Sequence, residues 1–293
     1  FKVNISILFD SLRLILFPIL SIFILCLMNV SSLKDLVFTL NANFQVTAGF
    51  GSNQVSTMLG FGVIVLFIII ENGSKFSKNK FIDFFIMAIL ISHSLITFSR
   101  GGVLAIMVVL IAYFSLGFKK IINLFVVLII GSGSFFFVNN YTDGLLLNRF
   151  KGETTSTLTN YRLTADLSTI SSSRTEIFLQ DVNLFYNNPI FGVGVGQSSK
   201  QRQMKDNSHI EFSRLLSEHG FFGLLYFLIL LSYFRIKTPN YSYNAINMGF
   251  YIFSMYTMLH AGTRLSIVSL SIILAVIFIT NNQVNEKYIV HRK

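Results

Sequence analysis

The chain has 293 residues, of which 53% are apolar and only 12% charged, and its mean hydropathy is +0.64. That is too apolar and too sparsely charged for a soluble globular domain, and it places the chain in a bilayer. The 23 Lys and Arg exceed the 13 Asp and Glu, but they sit in short clusters between apolar runs, so no basic domain and no nucleic-acid partner is expected. The sequence opens at Phe1 without an initiator Met or a signal-peptide pattern, which reads as a fragment or processed chain with earlier spans missing.

A spanning helix needs roughly 20 mostly apolar residues. Windows at about 12–30, 55–71, 81–98, 101–118, 121–138, 215–234, 244–260 and 264–280 approach that, so the chain reads as an all-α polytopic membrane protein of about eight spans. The first window holds the single cysteine, Cys26, which leaves no disulfide framework and no cysteine-rich metal site. Lys75, Lys78 and Lys80 follow span two, and Lys119 and Lys120 follow span four. Arg235 and Lys237 follow span six, and Lys287, Arg292 and Lys293 follow span eight. A simple weave puts all four clusters, with Lys2 and Arg13, on one side, which the positive-inside rule makes cytoplasmic. The eleven tyrosines, in a chain without Trp, serve in part as interface anchors.

The segment 139–214 then lies outside as an external helical loop subdomain. It divides spans one to five, residues 1–138, from spans six to eight and a cytoplasmic tail, residues 215–293. Ser173-Arg174-Thr175-Glu176 and Ser208-His209-Ile210-Glu211 each match the S-x-x-E capping box, in which Ser caps a backbone amide and Glu reaches back. The first predicts a helix running to about Asn187 and stopped by Pro189. The second predicts a helix feeding into span six. The boxes put Arg174 and His209 at first helical positions, where the helix dipole keeps an imidazole neutral and attracts anions. A histidine there reads equally as a plain polar surface residue.

Other polar residues carry weaker signals. His93, Thr97 and Arg100 stand at i, i+4 and i+7 on one face of span three, and an ionisable residue inside a span usually faces the bundle interior. The reading favoured for His93 alone is a buried histidine satisfied by a neighbouring helix. Arg100, in the turn Phe98-Ser99-Arg100-Gly101-Gly102, and Arg264, after His260-Ala261-Gly262-Thr263, read either as snorkelling anchors or as parts of an anion site. Gly192-Val193-Gly194-Val195-Gly196 lacks the features of a phosphate loop and reads as a tight turn where backbone approaches another segment. Glu218 and His219 read as packing or interface residues. No H-E-x-x-H and no acidic pair with metal-ligand spacing appears, so no metal and no cofactor is expected.

Three blocks in order carry a resemblance. They are Phe98-Ser99-Arg100-Gly101-Gly102; Arg174 followed by Asn188-Pro189-Ile190-Phe191-Gly192-Val193-Gly194; and Asn207-Ser208-His209 leading into Leu215-Leu216-Ser217-Glu218-His219-Gly220-Phe221-Phe222-Gly223-Leu224. Over roughly residues 55–280 the chain resembles the O-antigen polymerase and O-antigen ligase superfamily. The resemblance implies a metal-independent glycosyltransferase of C-type-like architecture in the bacterial inner membrane, with its active face outside the cytoplasm. It implies undecaprenyl-pyrophosphate-linked glycan as donor, with membrane lipids and other polysaccharide-assembly membrane proteins as further partners. It gives His209 the role of catalytic base and Arg100 and Arg174 that of pyrophosphate ligands; Arg264, as a third arginine on the outer side, is a weaker candidate for the same anion site. A polymerase building O-antigen or capsule is the expectation; a ligase transferring glycan to lipid A core, or a flippase of lipid-linked glycan, is the alternative.

Overall fold

A computed structural model of the chain describes residues 2–30, 36–115, 121–151, 174–203, 210–237, 244–260 and 265–280. Most of them are helical, as expected of an all-α membrane protein. Each of the eight apolar windows contains a helix. Those helices are α1 (Ile5–Met28), α2 (Ser52–Glu71), α3 (Lys80–Ile96), α4 (Arg100–Ser115), α5 (Ile121–Tyr141), α10 (Phe221–Lys237), α11 (Asn244–Met258) and α12 (Ser266–Val276). Between α5 and α10 come α6 (Leu145–Phe150), α7 (Arg174–Asn187), α8 (Ser198–Gln201) and α9 (Glu211–His219). Among the described residues, α1, α2 and α5 are long and apolar enough to cross a membrane. The other five window helices are shorter, so the expected count of eight spans exceeds what helix length alone supports.

α2 is the central helix, buried along nearly its whole length, and its small residues explain why. Ser56 and Gly60 stand four apart on one face, the spacing that lets membrane helices approach backbone to backbone. α4 answers with Gly102: a Cβ there would lie 2.1 Å from the Ser56 carbonyl oxygen, and one on Gly60 would lie 2.7 Å from the Gly102 carbonyl oxygen. On another face Phe61 packs against Phe250 and Phe253 of α11, at ring-centroid distances of 5.8 and 5.0 Å. α1 turns Leu8, Leu12, Leu16, Ile19 and Cys26 inward, while Ile7, Leu14, Phe17 and Ile24 stay exposed. A helix apolar on its exposed face as well as its buried one is made for a hydrocarbon surround.

Contacts between helix ends reveal the weave. At one end Arg13 donates to the Lys75 carbonyl (2.8 Å) and to the Ser74 hydroxyl. Asn123 donates to Glu71 (2.8 Å), and Asn247 donates to the carbonyls of Leu274, Ala275 and Ile277 at 3.0 to 3.1 Å. At the opposite end the Asn43 amide donates to the Thr97 carbonyl (2.9 Å), and Phe38 packs against Phe98 and Tyr141. The loop carrying Lys75, Lys78 and Lys80 and the starts of α5 and α11, which follow two other basic clusters, therefore share one end.

Three local expectations change. α12 stops at Val276 rather than continuing to 280; β2 (Phe278–Thr280) instead pairs in parallel with β1 (Lys2–Asn4), Val3 opposite Ile279. The sixth apolar window breaks at Gly220, whose φ of +59° ends α9 before α10 begins at Phe221. α9 opens at Glu211, capped by Ile210 in an extended conformation without a side-chain bond, later than the Ser208 box places it. The first box's helix ends at Asn187 as Pro189 requires, with Ser173 itself outside the described residues.

Candidate functional site

The α3–α4 link is built to present Arg100. Thr97 caps α3, Phe98 takes a left-handed φ of +55°, and α4 starts at Arg100 two residues later. The Ser56 hydroxyl donates to the Ser99 carbonyl (3.1 Å), and the Ser99 hydroxyl donates to the Asn53 side chain. Gly101 lies under the His260 ring, where a Cβ would come within 2.2 Å of Cδ2. His260 is itself fixed. Its Nδ1 donates to the Tyr256 carbonyl (3.1 Å), so the neutral ring can accept at Nε2 from the Thr57 hydroxyl (3.3 Å).

Two further arginines arrive from the segment between α5 and α10. Arg149 lies on α6, a short helix opened by the left-handed Gly144. Arg174 is the first residue of α7, which a buried polar cluster ties to α8 and α9. In that cluster Asp181, fully buried, accepts from the Ser213 hydroxyl at 2.8 Å and pairs with the equally buried Arg202 at 3.4 Å. Glu218 accepts from the Ser198 hydroxyl (2.8 Å), which gives it a packing role.

The three guanidinium groups lie near enough for their charges to act on one another. Burial holds Arg149 below the ordinary arginine value, and the charges of Arg100 and Arg174 push it down further. Arg174 is lowered in the same way, by burial first and Arg100 second, with the Tyr256 phenol opposing. All three stay charged, since arginine does not deprotonate at physiological pH. The Nε donors of Arg149 and Arg174 are buried without a hydrogen-bond partner among the described residues. Each such orphan costs about 1–3 kcal/mol, and like charges drawn together add to that cost. A multivalent anion bound among them would relieve both.

The structure thus brings together Arg100 and Arg174. His209 and Arg264 lie outside the described residues. The helix-start position argued for His209 is not where α9 begins. His93 is a satisfied buried histidine: its Nε2 donates to the Val46 carbonyl (3.0 Å), and Phe23 meets its ring edge-on. The glycine-rich run is the tight turn expected. The Val193 amide donates to the Ser217 carbonyl (2.8 Å) and the Gly194 amide to the Glu218 carbonyl (3.1 Å), and a Cβ on Gly192 would strike Glu218 backbone at 2.4 Å. Among the described residues no group of three His, Cys, Asp or Glu is placed to hold a metal ion.

Sequence reasoning missed Arg149, Tyr256 and His260. Arg149 stands alone in a polar stretch without a motif, and only its position on the outer segment marked it. Tyr256 looked like one interface tyrosine among eleven. His260 owes its place to Thr57, 203 residues away, a pairing that no local pattern encodes.

A family model described as O-antigen ligase matches residues 84–228, about half of the chain, from α3 into α10. The match contains Arg100, Arg149, Arg174 and His209. No curated protein and no solved structure gives a significant match. Members of the matched family are glycosyltransferase-like enzymes of polysaccharide biosynthesis that act on lipid-linked glycans in the membrane. Three ordered sequence blocks, an apolar helical bundle and the family match agree, and the chain belongs to the O-antigen ligase and polymerase superfamily.

Proposed function

We propose that this protein is a polymerase that joins undecaprenyl-pyrophosphate-linked oligosaccharide repeats into a surface polysaccharide, without a metal ion. The observation that carries the reading is the mutual proximity of Arg100, Arg149 and Arg174, with two buried Nε donors that have no partner among the described residues. Pyrophosphate is the anion that such a cluster suits, because planar guanidinium forks bind phosphoryl oxygens bidentately. The eight apolar windows, of which α1, α2 and α5 hold helices long enough by themselves, cross the membrane, with the basic end in the cytoplasm and the arginines at the outer face. Arg264 is a fourth, weaker ligand.

In the reaction an acceptor hydroxyl oxygen bonds to the anomeric carbon of the donor sugar. The bond from that carbon to the phosphate oxygen breaks, and its electron pair leaves on the lipid pyrophosphate. His209 takes the hydroxyl proton, which requires a neutral imidazole within hydrogen-bond reach. The arginines stabilise the charge that grows on the pyrophosphate, as prepositioned cations in a dry site do.

Purified full-length protein in proteoliposomes, given the lipid-linked repeat alone, should make longer lipid-linked glycans. Transfer that starts only after lipid A core is added would make it a ligase. Movement of donor across the bilayer without a new glycosidic bond would make it a flippase.

A further inference from the structure

The turn between α7 and α9 exposes apolar side chains that the tight-turn role of its glycines leaves unexplained. Ile190, Phe191 and Val195 are 60%, 74% and 72% exposed, whereas Ile177 and Leu216 of the flanking helices are buried. The exposure is not slack. The Val193 and Gly194 amides are bound to α9 carbonyls, the Gly192 amide donates to the Asn188 carbonyl (3.0 Å), and the Phe221 amide donates to the Pro189 carbonyl (2.8 Å). These bonds fix the turn, and side chains held out from a fixed turn can reach the headgroup boundary while its remaining amides stay with water. Residues 182–199 carry no charge, and the exposed Lys200 follows directly. The patch also continues onto a larger one. Phe191 stacks on Phe222 at 5.9 Å, and Phe222 begins the exposed apolar face of α10 that includes Leu225, Leu228 and Ile229.

We propose that the turn 188–195 is a membrane anchor whose Ile190, Phe191 and Val195 insert into the outer leaflet beside α10. This rests on the reading of α10 as a span. Aromatic and aliphatic side chains next to a lysine are the composition that settles at the headgroup boundary. α7 runs from Arg174 in the arginine cluster to Asn187 at the anchor, so lipid insertion at one end of the helix sets the depth of the guanidinium at the other.

The chain has no Trp, so single-tryptophan variants report without background. Phe191→Trp, Val195→Trp, Lys200→Trp and Ile229→Trp all alter exposed sites. Each would be reconstituted in vesicles whose lipids are brominated either near the glycerol or near the chain terminus. Phe191→Trp and Val195→Trp should be quenched at least a few-fold more than Lys200→Trp, best by the shallow bromines, while Ile229→Trp responds to the deeper ones. If Ile229→Trp is quenched and the two turn variants match Lys200→Trp, the anchor is refuted while α10 remains a span. A blue-shifted but unquenched Phe191→Trp would mean that protein, such as a second copy, covers the turn, and would equally refute it. An unquenched Ile229→Trp removes the span reading and the anchor with it.

Discussion

At the scale of single residues, a guanidinium that anchors at the interface differs from one that grips phosphate in how it tolerates lysine. An ammonium keeps the charge but not the planar fork. Losing one charge-assisted hydrogen bond of about 1.5–3 kcal/mol lowers turnover by roughly ten- to a hundred-fold. Arg149→Lys and Arg174→Lys should both show that loss in glycan formation at equal protein levels. Wild-type chain formation in both would remove the anion site. His209→Ala should cost about 10²–10⁴ in transfer rate while donor binding survives, because only the base is gone. His219→Ala is the control, a half-buried residue at the end of α9 with no assigned role. Equal loss in the two variants would indicate a folding defect. Arg100 and Arg174 were legible because each sits in a recognisable block. Arg149 was not, since its meaning comes from two cations brought in by other elements.

At the scale of elements, the glycines separate close packing from open surface. Gly102→Ala would push a methyl into the Ser56 carbonyl, and α2 and α4 must part, at a cost of about 1–3 kcal/mol for an overpacked contact. Gly131→Ala on α5 meets nothing within 4 Å and gains up to about 1 kcal/mol of helix propensity. Thermal unfolding of the two purified variants should therefore move in opposite directions, and a Gly102→Ala protein as stable as wild type would contradict the packing described. Helix positions were readable from hydropathy because each apolar window contained one. Ends were less readable. Pro189 marked the end of α7 through a local steric rule, whereas the break at Gly220 depends on Ile190 backbone approaching to within 2.6 Å of where its Cβ would be. The pairing of β1 with β2 joins opposite ends of the described chain, and no hydropathy window sees that.

At the scale of the molecule, the proposed orientation rests on the charge asymmetry of the loops. Arg13 bonds to the Lys75 loop and Asn123 to Glu71, so these elements meet at one end of the bundle. Cys26 is buried, so introduced cysteines report cleanly. Cysteines at Ser77 and Thr238 should resist an impermeant thiol reagent added to intact cells, and one at Ser156 should react; labelling of the first two would invert the orientation. In the proposed reaction, arginines rather than a divalent cation carry the pyrophosphate through glycan transfer. The direct measurement is the rate of glycan elongation by the purified full-length protein on its lipid-linked donor, with and without EDTA. An unchanged rate is the expected result. Elongation abolished by EDTA and restored by magnesium would contradict it.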